Sequence, residues 1–304
     1  MKKIILFTTI FVLILNLGIS QDSTSIRESF QIENKNGISI LPVKGDLSIG
    51  LSMTPILNYF GNFFNGTTNN STSALFMGYP DNNILYFSSA APTSSQIFMK
   101  YFLSNSSALR ISFEYTGLNI SERAYVQNDA TVNLDPLSNA KSEDMIQNLG
   151  STLILSAGYE KRRGSSRIQG YFGASTFFVR QNSQQLYSYS NPISNLNPNP
   201  TSTDWGDNLL SNNSRKLSHF NGVVNGFGLG GILGVEYFIF PKASLGAEIG
   251  YNYIYFEEGQ SSYEYERWNV NEIDTKIEID SPGSTNNAIG TFNPSANFFL
   301  MFHF

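Results

Sequence analysis

Apolar and polar side chains alternate one by one through several stretches of this chain. A period of two places alternate residues on opposite faces of an extended strand. From Pro294 to the end, Pro294, Ala296, Phe298, Leu300, Phe302 and Phe304 share one face, while Ser295, Asn297, Phe299, Met301 and His303 share the other. Together with Phe292 they make one predicted strand. A first runs from about Gly45 to Tyr59, with Leu47, Ile49, Leu51 and Met53 against Ser48, Gly50 and Ser52. A second, about Ser94 to Ser104, sets Ile97, Met99, Tyr101 and Leu103 against Gln96 and Lys100. A third, about Ala108 to Asn119, sets Leu109, Ile111, Phe113 and Tyr115 against Arg110, Ser112, Glu114 and Thr116. A fourth, about Leu149 to Glu160, turns Leu153, Leu155, Ala157 and Tyr159 one way. The fifth, about Arg167 to Arg180, is ambiguous in its facing. The sixth, about Gly226 to Phe240, and the seventh, about Leu245 to Phe256, alternate large apolar residues with glycines, Glu236 and Glu248.

Strands with one apolar and one polar face suit a cylinder that meets lipid outside and encloses polar groups within. The expected fold is all-β, a transmembrane antiparallel up-and-down β-barrel of eight strands. Short turns follow strands two, four and six, and long polar segments follow one, three, five and seven. Membrane barrels have short periplasmic turns and long extracellular loops, which puts both termini in the periplasm. The expected outer loops are then Asn62 to Pro92, Ser121 to Asn148, Gln181 to Phe220 and Glu257 to Thr291. Within the first, Ala74 to Tyr79 and Ile84 to Phe87 form a possible further strand pair, which would make ten. Within the last, residues 263 to 279 alternate again and read as a β-hairpin standing above the membrane.

The N-terminus agrees with export. Lys2 and Lys3 precede an apolar run from Ile4 to Leu15 and small residues at Gly18 and Ser20. That run is shorter than the roughly 20 residues that span a bilayer, so it reads as a signal peptide cleaved before Gln21. The expected organisation is signal peptide 1–20, periplasmic N-terminal segment 21–44 and outer-membrane barrel 45–304. Removing residues 1–20 takes two of the 19 basic residues and none of the 24 acidic ones, so 17 − 24 leaves a net charge of −7. A mildly acidic surface offers no footprint for nucleic acid. With no cysteine in the chain, neither a disulfide nor a lipid anchor at the cleavage site is available.

The residues with most chemical content are inward-facing charges. Lys100, Arg110, Glu236 and Glu248 each fall a few positions from a short turn, with Glu114 slightly deeper. An eight-stranded barrel is just wide enough for side chains to fill. Lys100 and Arg110, on adjacent strands, are expected to face Glu236 and Glu248 across the lumen, either as a packed ion-pair plug or as the wall of a polar pore. Gly226, Gly228 and Gly231 match the spacing of a dinucleotide-binding fingerprint. The match is rejected because the run continues as a strand where that fingerprint needs a turn and a helix. On a barrel's inner face such glycines are expected to permit close packing and bending, and so to provide curvature.

Two histidines, His219 and His303, and no cysteine leave no nitrogen or sulfur cluster for a metal, and no cofactor site is expected. Ser218-His219 lacks an identifiable acid partner. The acids Glu257, Glu258, Glu264, Glu266, Glu272, Asp274, Glu278 and Asp280 face only Arg267 and Lys276, which predicts a solvated acidic hairpin. The Asn-, Ser- and Pro-rich stretch from Asn182 to Asn213 reads as flexible or ordered by a partner, with Tyr187, Tyr189 and Trp205 over the barrel mouth or against a ligand.

The terminal Phe304, with Phe298, Leu300 and Phe302 at alternate positions before it, resembles the assembly signal of bacterial outer-membrane β-barrels. The segments LPVKGDLSIG (41–50), TPILNYFGNFFNG (54–66) and KYFLSNSSALR (100–110) resemble the opening strands of a porin-like family common in Bacteroidetes, largely uncharacterised. That resemblance implies place and fold rather than substrate. The expected function is non-enzymatic: an integral outer-membrane protein, structural or surface-binding, with a side-chain-filled lumen. Alternatives are a narrow porin-like channel for small solutes, an accessory subunit of an envelope complex and, more distantly, a lipid-modifying enzyme. Expected partners are outer-membrane lipid and lipopolysaccharide, the barrel-assembly machinery and an envelope protein.

Overall fold

The computed structural model describes residues 32–53, 97–205, 209–210, 214–270, 272–290 and 296–304. Eight strands close into a ring: β1 (Leu47–Ser52), β2 (Ile97–Ser104), β3 (Ser107–Gln127), β4 (Lys141–Arg163), β5 (Ile168–Ser188), β7 (Ser214–Phe240), β8 (Ala243–Glu258) and β12 (Ala296–His303). Each pairs antiparallel with the next, and β12 pairs β1 from Ser48↔His303 to Ser52↔Phe299, so the sheet has no seam at this level. Closure gives every wall strand two partners, the arrangement lipid demands of a spanning sheet. The expected signal peptide, the end of the first strand at Tyr59, most of the first loop and the possible pair 74–79 and 84–87 lie outside the described residues.

Alternation decides the faces. Leu47, Ile49, Leu51, Ile97, Met99, Tyr101, Leu109, Ile111, Phe113, Tyr115, Ile249, Tyr251, Phe298 and Phe302 are all exposed on the outside, while Ser48, Lys100, Arg110, Ser112, Glu236, Glu248 and His303 are buried inside. An exposed apolar belt around a polar interior is the inverse of a water-soluble fold and marks the wall as membrane-spanning. The fifth strand, ambiguous in the sequence, turns Ile168 and Phe172 outward and Gln169, Tyr171 and Phe177 inward. Its ambiguity came from the doublets Tyr171-Phe172 and Phe177-Phe178, in which one ring goes to each side.

Inward rings meet glycines. Tyr171, Phe177 and Phe299 stand directly opposite Gly234, Gly228 and Gly246 on the neighbouring strands. A Cβ on any of these glycines would lie 2.1 or 2.2 Å from the facing ring. These inner-face glycines therefore make room for aromatic side chains, the close packing expected of Gly228, whereas Gly231 is exposed with nothing within 4 Å of its Cβ position.

Three expected loops are largely strand. The β3–β4 ladder runs unbroken from Ser107↔Lys161 to Gln127↔Lys141, and β4–β5 reaches Met145↔Ser188. β9 (Ser261–Asn269) continues β8 and pairs both β7 and β10 (Glu272–Ser281), while β11 (Ser284–Gly290) pairs β8, so the expected hairpin stands within a taller crown. Above the belt no face is required to be apolar, so period two weakens in much of the sequence while the ladder persists. β4 also extends at its other end, through Arg163, which moves Arg162 out of the expected turn at Lys161 to Ser166 and into the wall.

Residues 189–205 fold back over the crown. Asp144, fully buried, accepts hydrogen bonds from Ser190 N (2.9 Å), Ser190 Oγ (3.0 Å) and Thr203 N (2.8 Å). Asn191 Nδ2 donates to Gln127 O and Thr201 O, and Ile193 is buried beneath. This part of the third loop is internally pinned, which corrects its reading as flexible. β6 (Leu209–Leu210) adds a short pairing with β7. A one-turn helix, α1 (Asp129–Leu134), joins β3 to β4, capped by Asn128 Oδ1 on Thr131 N at 3.0 Å.

Candidate functional site

The charged layer lies in the lumen close to the short turns. Lys100 comes from β2, Arg110 from β3, Glu160 and Arg162 from β4, Glu236 from β7 and Glu248 from β8. Antiparallel pairing sets several of them at one height: Lys100 opposite Arg110, and Gln169 opposite Glu236. Arg110 forms a two-pronged bond with Glu248, Nη1 to Oε2 at 2.6 Å and Nη2 to Oε1 at 2.9 Å. Lys100 Nζ lies 3.1 Å from Glu160 Oε2 and 3.4 Å from Glu236 Oε2. Arg162 bridges the same two acids, at 3.3 Å to Glu160 and 2.7 Å to Glu236, and its Nε donates to Gln169 Oε1 at 3.1 Å.

Three bases thus meet three acids, and Lys100, Glu160, Arg162 and Glu236 are at most 2% exposed. Unpaired charge in such a place is unfavourable by several kcal/mol, on the order of the desolvation cost per ion. Each group here has an opposite charge and a hydrogen bond. Aromatic faces complete the shell: Lys100 Nζ sits 4.5 Å from the centre of the Tyr171 ring, and Arg162 Cζ lies 5.2 Å from Phe102 and 5.6 Å from Phe238. Tyr171 also donates its hydroxyl to Glu248 Oε2 at 2.8 Å.

Of the residues singled out in the sequence, Lys100 and Arg110 do face Glu236 and Glu248 across the lumen. Glu114 is buried farther along β3, level with Ile154. Glu160, Arg162 and Tyr171 belong to the layer and were not singled out, and His303, noted in the sequence only as an isolated imidazole, belongs to it too. Alternation already placed Glu160 inward, whereas Arg162 was hidden in a basic run that looked like a turn.

His303 anchors the floor of the layer. Ser244 Oγ donates to Glu236 Oε1, so it accepts from His303 Nε2 at 3.0 Å, and His303 Nδ1 then accepts from Ser48 Oγ at 2.5 Å. These partners assign the Nε2–H tautomer. With His303 and Ser244 buried, this Ser–His–Glu set is closed to a substrate. His219 lies far along β7, and Asp280 Oδ2 approaches its Nε2 at 3.4 Å, supplying an acid neighbour not identifiable in the sequence. Ser218, adjacent on the strand, faces the opposite side, so the two do not form a nucleophile–base pair.

The acidic hairpin is partly neutralised from within. Arg267 and Lys276 both reach Asp274, at 2.9 and 3.2 Å, and Arg215 reaches Glu266 at 2.8 Å. The Arg267 bond holds Asp274 below the usual carboxylate range. Tyr263 and Tyr265 donate to the two oxygens of Glu278, which lowers that acid and pushes the Tyr263 phenol up to about 12. Tyr189 donates to Lys216 O, and its ring lies 4.2 Å from Arg215 Cζ.

On the outside, Phe298, Phe302 and Phe304 lie in one exposed row, with Leu300 between the first two. Phe304 is tied to β1 by paired backbone bonds with Leu47.

No protein-family model and no curated protein matches the chain. Two solved structures resemble it in outline. The outer membrane protein OprG from Pseudomonas aeruginosa is 12% identical over 87% of this chain and 98% of that one, with a TM-score of 0.27. A major outer membrane protein from Thermus thermophilus is 11% identical over 86% and 99%, with a TM-score of 0.34. Independently of these likenesses, the closed ring of pairings defines the fold.

Proposed function

We propose that the chain is an integral outer-membrane protein whose lumen is filled by side chains, a structural or surface-binding barrel rather than an open channel. The observation that carries this reading is the burial of Lys100, Glu160, Arg162 and Glu236 in mutual ion pairs. An ion crossing a pore keeps water or polar ligands around it throughout, and a layer of this kind leaves those positions to side chains. The basic, apolar and small residues at the N-terminus, with cleavage before Gln21, support export. The alternation of short turns with tall connections supports periplasmic termini and an extracellular crown. The crown, not the lumen, is then the surface available to lipopolysaccharide or an envelope partner, and Phe298, Leu300, Phe302 and Phe304 are the row offered to the assembly machinery.

The test is conductance of the purified protein in a planar bilayer. No steady current is expected. Steady, ion-selective currents that change when Glu160 or Glu236 is replaced by Gln would overturn the filled-lumen reading in favour of a narrow channel.

A further inference from the structure

Beneath the charged layer, the chain preceding β1 crosses the short-turn mouth. Residues 32–40 form a small hairpin, with Ile40 N donating to Ile32 O at 2.8 Å, Asn34 N to Ile38 O at 2.9 Å, and Gly37 at φ +73° in the turn. Its far side carries Ile40 and Leu41 across to β7, where they pack on Phe238 together with Ile32. Ile40 is 1% exposed and Phe238 fully buried. Phe238 in turn faces Arg162. Apolar side chains of the N-terminal segment therefore form the outermost layer of a stack that continues through Phe238 to the ion pairs.

The attachments of this segment differ in kind from the wall. They are few and local: Lys44 N to Asn105 Oδ1 at 3.0 Å on the β2–β3 turn, then, where the segment joins the wall, Gly45 N to Phe102 O at 2.8 Å and Phe102 N to Asp46 O at 3.0 Å, with the Asp46–Lys242 ion pair at 2.5 Å on the β7–β8 turn. Gly45 has φ +94°, a backbone state glycine adopts without strain, at the point where the segment swings out from the strand direction. Ahead of that pivot, the apolar element 32–44 has one hydrogen bond to a turn and its packing on Phe238, so it opens at lower cost than any paired strand.

We propose that residues 32–44 are a strap that shuts the short-turn mouth and controls the access of water to the charged layer. The proposal rests on the filled-lumen reading and adds that this end is closed by a removable element. Seated, the strap keeps Phe238 and the Arg162–Glu236 pair dry. Withdrawn, it exposes Phe102, Phe238 and His303 to the aqueous side.

The chain has no cysteine, so a single thiol reports access cleanly. Ser48→Cys places one at a fully buried floor position beside His303. In the otherwise unaltered chain it should react slowly with a charged methanethiosulfonate reagent. With residues 32–41 deleted, or with Ile40→Ser and Leu41→Ser, the rate should rise at least about tenfold, as expected where local opening no longer limits access. The heat-dependent gel shift of a folded barrel should persist in both variants. Equal rates with and without the strap would overturn the proposal, as would loss of the barrel in both variants, because a strap leaves the wall standing when it is removed. Steady currents through the unaltered protein would instead refute the filled lumen, so the two failures are distinguishable.

Discussion

Arg110 and Glu248 illustrate how one side chain can be structural because of where it sits. Their two-pronged bond spans the lumen from β3 to β8, and nearly all the water that would stabilise either charge alone is excluded. Arg110→Met should therefore destabilise the barrel by about 3–5 kcal/mol, because Glu248 is left buried with only the Tyr171 hydroxyl and more distant bases near it. Adding Glu248→Met should restore part of the loss, and a double-mutant cycle on urea unfolding in detergent measures that coupling. Additive effects would mean that the pair is solvated. These two residues were legible in the sequence because each lies within an uninterrupted alternation and near a recognisable turn. Arg162 was not, because turn and strand end look alike in Lys161-Arg162-Arg163. Its role depends on β4 continuing two residues past Glu160, which the ladder to β3 and β5 decides.

Elements above the belt were harder to read than those within it. In lipid, one face of a strand must be apolar and the sequence alternates. In water that requirement lapses, and residues 120–127, 141–148 and 181–188 look like loop although backbone pairing carries them as strand. The pinned segment 189–205 escaped for a related reason: Asn and Ser favour turns in any sequence, and nothing local shows that Asp144 and Asp129 await their N–H groups. Burial tends to raise the Asp129 carboxyl, but hydrogen bonds from Thr201 and from Asn197 Nδ2 outweigh it and leave the group below its usual range. A depressed acid contributes stability that is present above its unfolded value, about 3.9, and lost as the pH falls through the folded one. Hydrogen exchange at residues 197–201 should therefore accelerate, beyond the intrinsic chemical trend, as the pH falls below about 4 to 5 and through the folded value. Asp129→Asn should flatten that excess. An identical profile in the variant would assign the acid sensitivity elsewhere.

At the scale of the whole molecule, the belt, the charged layer and the crown are three solvents' worth of requirements met by one sheet. Replacing Phe302 and Phe304 with Asp puts charge on the outward row of β12, the strand that closes the ring against β1. Membrane fractionation should show loss of the protein from the outer membrane, and normal accumulation would mean that this row does not face lipid. The crown's height carries one more consequence. Counting 269 − 253, the hairpin tip at Asn269 stands 16 residues beyond Tyr253, near the upper limit of the belt. At about 3.3 Å per residue and a tilt of about 40°, that is roughly 40 Å above the lipid surface. Physiological salt screens charge over about 8 Å. The acids at the tip therefore sit some five screening lengths from the phosphate headgroups and do not feel them, and the sign of the hairpin is sensed only by what approaches from the solution side.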